Sequence, residues 1–151
     1  MKRLCLYTVD SKIYPELILT GADSGLFQIS FSKSMLNISR EGELIGSINV
    51  NRGKCIYKGD ELLVKVTLKK IEIHEKKSRN VSISTTSSSK WCEPLSYNIF
   101  INSKKVAYFR VASKYIFFDR RFEMLYQNSC DLDFMVMLMA FLYNETSNFP
   151  S

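Results

Sequence analysis

The chain has 151 residues, 46% of them hydrophobic and 24% charged, with 21 Lys and Arg against 15 Asp and Glu and a formal charge of +6. Those values fit one globular domain that buries roughly two thirds of its unfolded surface. The six Gly and three Pro exclude collagen-like and linker-rich architectures. Four cysteines, Cys5, Cys55, Cys92 and Cys130, lie far apart without a C-x-x-C pair, and His74 is the single histidine. This inventory argues against a zinc site and for reduced thiols, so no metal and no cofactor is expected. The opening apolar run is too short for a secretory signal, and the longest apolar run falls short of the ~20 residues that span a bilayer. The expectation is a cytoplasmic protein with no transmembrane segment.

Taken in order, apolar and polar residues alternate with a period of two. Leu4, Leu6 and Thr8 form a first strand, and Leu17 and Leu19 a second that ends at the Gly21–Gly25 turn. Phe27, Ile29 and Phe31 follow. The block Met35–Val50 reads as a hairpin about Arg40-Glu41-Gly42-Glu43, with Gly42 free to take a positive φ. Gly46, inside its second strand, marks a bulge or a close backbone approach. Cys55–Tyr57 follows the Asn51–Gly53 turn, and Lys58-Gly59-Asp60 turns again. Leu62, Val64, Val66 and Leu68 make the cleanest alternation, and Ile71 and Ile73 then Val81 and Ile83 flank the polar Glu75–Asn80 loop.

Ser84–Lys90 is the most loop-like stretch, and Pro94 interrupts pairing after Trp91 and Cys92. Tyr97, Ile99 and Ile101 alternate before an Asn102–Lys105 turn, then come Val106 to Val111. Tyr115–Asp119 and Phe122–Tyr126 complete the strands, divided at Arg120-Arg121.

The chain then changes character. Phe134 to Tyr143 is an unbroken apolar or aromatic run. At 3.6 residues per turn it covers every face of a helix, and such a helix belongs inside a protein. Asn128 or Ser129 would cap it, Asp131 and Asp133 suit its first turn, and residues 144–151 read as a frayed tail. About twelve short strands before one buried helix predict a mainly β fold. The natural form is a closed antiparallel barrel around a central hydrophobic helix at about 131–143, in a single domain 1–151.

Two stretches resemble a known family. Gly42-Glu43-Leu44-Ile45-Gly46-Ser47-Ile48 resembles the glycine, two residues, isoleucine-glycine turn-and-strand of the tubby C-terminal-like superfamily. Asp131–Tyr143 resembles that family's core helix. The superfamily includes LURP-one-related and phospholipid-scramblase-like barrels, and the short chain is similar to its small bacterial members. The resemblance implies a twelve-stranded barrel around its C-terminal helix, and for the animal members phosphoinositide binding through basic side chains at a membrane surface.

Residues 76–121 hold ten of the 21 basic residues and two acids, Glu93 and Asp119. Should strand ends bring Lys76, Lys77, Arg79, Lys104, Lys105, Arg120 and Arg121 to one rim, a phosphate-bearing lipid headgroup or ligand would find several donors. The same charges could instead be solvated turns that discourage edge pairing. Trp91, Tyr97, Tyr108 and Tyr115 interleave with them, but in a barrel such aromatics serve the core, and a nucleic-acid partner is not expected. His74 shares a strand face with Glu72 yet has no nucleophile beside it, and no P-loop, G-x-S-x-G or dinucleotide fingerprint occurs. No catalytic residue is assigned. Two readings lead: a non-enzymatic barrel that binds an anionic lipid or ligand, peripheral at the membrane where the ligand is a lipid, or a structural module with a protein partner. A hydrolase is third.

Overall fold

In the computed structural model, residues 1–9, 16–21, 24–67, 70–76, 79–85, 96–113 and 120–147 are described. Among these residues, twelve strands precede one helix: β1 Lys2–Val9, β2 Glu16–Gly21, β3 Phe27–Ser32, β4 Met35–Arg40, β5 Glu43–Asn49, β6 Cys55–Tyr57, β7 Asp60–Val66, β8 Lys70–His74, β9 Asn80–Thr85, β10 Ser96–Ile101, β11 Lys104–Ser113, β12 Arg120–Tyr126 and α1 Leu132–Ser147. A one-turn 3-10 helix, Ser24–Leu26, joins β2 to β3.

Every strand pairing is antiparallel, in the order β2-β1-β12-β11-β10-β9-β8-β7-β6-β5-β4-β3. Apart from β1 and β12, which join the two ends of the chain, neighbours in sequence are neighbours in space. The terminal strands β2 and β3 lie beside each other. The result is a nearly closed barrel, as the strand cadence predicts.

The alternation decides what fills it. Leu4, Leu6, Leu36, Ile38, Ile48, Ile73, Ile83, Ile99, Phe109, Phe122 and Met124 are all buried. They meet α1, whose residues Phe134 to Tyr143 are at most 5% exposed. Phe134 meets Tyr57 edge to face at 5.3 Å, and Tyr143 meets Phe122 likewise at 5.3 Å, so aromatic contacts anchor both ends of the helix. Between them, Gly46 faces the helix so closely that a Cβ there would lie 2.7 Å from Met137 Sδ. The expected close approach is therefore real. The expected bulge lies next to it, where the β4–β5 register shifts at Ile38 and Ser39.

Three local readings change. Asp131, not Asn128 or Ser129, caps α1: its Oδ1 accepts from the Asp133 N–H at 3.1 Å, and its carbonyl starts the helical ladder. The helix also continues through Asn144-Glu-Thr-Ser147, which the sequence suggests is frayed. Asn144 and Thr146 are buried, and Thr146 Oγ1 donates back to the Leu142 carbonyl at 2.8 Å, so polar residues end the helix without fraying it. Arg120 and Arg121 belong to β12, which starts two residues before the expected Phe122. Leu68, Trp91, Cys92 and Tyr115–Asp119 lie outside the described residues. Among the described residues, no helix is long and apolar enough to cross a membrane.

Candidate functional site at the upper rim

Up-and-down strands send alternate connections to opposite ends. The upper rim, where α1 begins, carries the β4–β5, β6–β7, β8–β9 and β10–β11 connections and the segment from Gln127 to Asp131. Three of these turns have positive φ at both central residues, Glu41-Gly42, Lys58-Gly59 and Asn102-Ser103. This geometry matches the right-handed twist of the strands and keeps the turns tight. Lys58, in one of these turns, thereby reaches the first turn of the helix at Asp133.

Asp133, in the first turn of α1, is the centre of this rim. Its side chain is 9% exposed and takes two cations: Arg40 Nη1 at 2.9 Å on Oδ1 and Lys58 Nζ at 3.2 Å on Oδ2. A buried carboxylate is tolerable where it is paired and lies at a helix N-terminus. Burial is the largest single influence on Lys58 and works against its charge, but the bond to Asp133 and the charges of Tyr57, Asp133 and Asp131 together outweigh it and hold its pKa above the ordinary value. Beside this pair, Arg79 binds Glu75 through two nitrogens and Asp131 at 3.2 Å. Its guanidinium lies 3.9 Å from the centre of the Phe134 ring. Burial, and secondarily the charge of Asp131, raises the pKa of Tyr57, whose hydroxyl has no hydrogen-bond partner among the described residues.

An open groove of about 700 Å³ runs between the β4–β5 and β6–β7 turns, lined by Arg40, Glu41, Glu43, Leu44, Ile45, Lys58, Gly59 and Asp133. Leu44 is 60% exposed, and Leu26, whose carbonyl accepts from the Glu41 N–H, is also exposed. Further round the rim, Asn80 and Asn102 exchange hydrogen bonds and hold the β8–β9 and β10–β11 turns together. Lys76, Lys104 and Lys105 project there, exposed, with no ion pair among the described residues.

The sequence-derived basic set is thus divided. Lys76, Arg79, Lys104 and Lys105 share the upper rim. Arg121, and Arg120 by its backbone, pair with Tyr7 and Thr8 toward the lower end. Lys77 lies outside the described residues. Arg79 is committed to Glu75, Asp131 and Phe134, so it is an anchor of the helix more than a free donor. Sequence reasoning misses Arg40 and Lys58, because each is an isolated cation in a turn, outside the basic 76–121 segment. Counting strands would find them, because every second connection of such a barrel reaches the same rim.

The remaining candidates resolve simply. His74 Nδ1 is 2.7 Å from Asn80 Oδ1, and Glu72 pairs with Lys70 instead of His74. Tyr97 is a core side chain and Tyr108 is half-buried. No cluster of three or more His, Cys, Asp or Glu that could hold a metal occurs among the described residues. Comparison with protein-family models, curated proteins and solved structures finds no match to this chain.

Proposed function

We propose that the protein is a non-enzymatic barrel that binds anionic, phosphate-bearing lipid headgroups at its upper rim, as a member of the tubby C-terminal-like superfamily. The observation that carries this reading is the combination on one rim of three exposed ammonium groups, Lys76, Lys104 and Lys105, unpaired among the described residues, with two exposed leucines, Leu26 and Leu44. Lysines bring the rim to an anionic surface, and leucines give it apolar contact there. The helix has no part in contact with lipid; it fixes the turns through Asp131 and Asp133.

Co-sedimentation with phosphatidylcholine vesicles, with and without phosphatidylserine, tests this reading. Binding should require the anionic lipid and weaken as salt rises. Lys104→Ala with Lys105→Ala should lower the partition constant roughly thirtyfold, at about 1 kcal/mol per lysine near the surface. Binding that ignores salt, or none at all, would overturn it.

A second reading, a protein-interaction module, has its own support on the outer wall. Ile56 and Leu63 are exposed at diagonal positions of β6 and β7. It requires a discrete partner whose co-purification is lost with Leu63→Ser while vesicles are ignored.

A further inference from the structure

A second excess of positive charge lies on the outer wall, away from the upper rim. In β12 the inward residues are Phe122, Met124 and Tyr126, so Arg121, Glu123 and Leu125 point outward. Register places Cys5 of β1 and Arg110 of β11 on either side of Glu123, with Tyr7 beside Arg121. Strand alternation then brings Arg3 to the same outward face. Three arginines from three strands thus converge on one carboxylate.

Glu123 is 6% exposed. Its oxygens lie 3.2 Å from Arg110 Nη2, 3.6 Å from Arg3 Nε and 3.9 Å from Arg121 Nη2. Among the described residues no other carboxylate pairs with these arginines. Three guanidinium charges against one carboxylate leave two positive charges uncompensated. The arginines stay reachable, with side chains 46%, 55% and 37% exposed for Arg110, Arg3 and Arg121.

The hydrogen bonding is also incomplete. Arg121 Nε is buried and has no partner among the described residues, while the Arg121 guanidinium is held 5.5 Å from the Tyr7 ring. Buried donors are nearly always satisfied, and no described residue supplies an acceptor for this one. Arg110 and Arg121 each reach Glu123 through one terminal nitrogen, which leaves other donors of each planar fork available.

We propose that Arg3, Arg110 and Arg121 form a second binding site, on the outer wall, for a phosphate monoester or inorganic phosphate dianion, with Glu123 as the internal counterion that spaces the three guanidiniums. The charge matches: a phosphate monoester carries about −1.5 to −2 near neutral pH, against the two uncompensated positive charges. The geometry matches as well, because guanidinium forks bind phosphate oxygens in pairs. The site has a built-in competitor, since Glu123 occupies donors that phosphate would use. Its removal must therefore strengthen binding, which a merely structural ion-pair cluster does not predict.

Titration of the full chain with sodium phosphate, against sodium chloride at matched ionic strength, tests this by following the Arg side-chain Nε–H signals by NMR. The Arg121 signal should move saturably with phosphate only. Arg110→Gln should weaken binding about tenfold, the usual effect of losing one charge-assisted hydrogen bond, and Glu123→Gln should tighten it. Once Lys104→Ala and Lys105→Ala have silenced the upper rim, phosphatidic acid vesicles distinguish the sources: displacement of the protein from them by free phosphate assigns a soluble ligand, and retention assigns a lipid headgroup. Arg110→Gln leaves the upper rim intact, so a loss of phosphate binding without a loss of phosphatidylserine binding separates the two sites. Equal response to chloride, or phosphate affinity unchanged in both Arg110→Gln and Glu123→Gln, overturns the proposal.

Discussion

The guanidinium of Arg79, in the segment leading into β9, covers the ring of Phe134, the first residue of the apolar run of α1, at 3.9 Å. The same side chain binds Glu75 and Asp131, so one residue joins the barrel wall, the cap of the helix and the top of the core. A partly desolvated cation over an aromatic face contributes up to about 2 kcal/mol. Arg79→Ala also leaves two carboxylates without their partner. The expected cost is about 2–4 kcal/mol, measurable as a lower urea midpoint at unchanged slope. Arg79→Lys should recover part of it, because an ammonium keeps the charge but loses the fork. A loss below the error of the measurement would remove the anchoring role.

The reach of the sequence has a physical limit here. Alternation along each strand depends only on near neighbours, so the Leu4 to Met124 pattern, the Gly42 hairpin and the Gly46 approach are all legible from residue order. So is the buried helix, since ten apolar residues in a row admit little else. Sites are different, because they depend on register between distant strands. Cys5 and Glu123 meet across more than a hundred residues of chain, and nothing local to either of them announces it. Arg121 stands out in the sequence for its charge but belongs with Arg3 and Arg110, not with Lys104. The helix end is hard to place because Asn144-Glu-Thr-Ser147 is polar, and polarity alone does not show that Thr146 can satisfy itself within the helix.

Val136 lies in the second turn of α1 and is fully buried. Val136→Asp would put a carboxylate among buried apolar side chains, a change that costs more than about 4 kcal/mol. Truncation before Asp131 removes the whole filling of the lumen. Both should give protein without a cooperative thermal transition. A transition at the wild-type temperature after truncation would mean that the barrel stands without its helix.

Gly46 should tolerate no side chain. Its φ is not in the left-handed region, so the obstacle is steric: a Cβ at this position would lie 2.7 Å from Met137 Sδ and 3.2 Å from the Ile56 carbonyl oxygen. Gly46→Ala is expected to cost about 1–3 kcal/mol as an overpacking change. Combined with Met137→Ala, the loss should be smaller than the sum of the two single losses, because the new methyl then has room. A double-mutant cycle with zero coupling would show that the two do not meet.

Cysteine chemistry should follow burial. Burial, with a smaller contribution from the Glu145 charge, pushes the Cys55 thiol up to about 12, whereas half-buried Cys130 is raised less far. The nucleophile is the thiolate, so at pH 8 iodoacetamide should label Cys130 well before Cys55, as read by peptide mass mapping. Cys55 should react only as the protein unfolds. Equal labelling rates under native conditions would contradict the buried position on β6.

Glu145 sits near the C-terminal end of α1, half-buried, and burial alone raises its pKa above the ordinary 4.5. The negative end of the helix dipole acts in the same direction. The folded state therefore holds this proton more tightly than the unfolded chain. Linkage fixes the sign: stability is greatest when the group is protonated in both states, and it falls as pH rises from 4.5 through the raised folded value. Glu145→Gln removes that penalty, so it should raise the urea midpoint at pH 7 and leave it nearly unchanged below pH 4.5, where the wild type is already neutral. Tyr97 and Cys55 feel the Glu145 charge, and both should respond to its loss in the same experiment through a lower pKa. A variant that gains nothing at pH 7 would mean that this carboxylate is solvated at the lower rim despite its place in the helix.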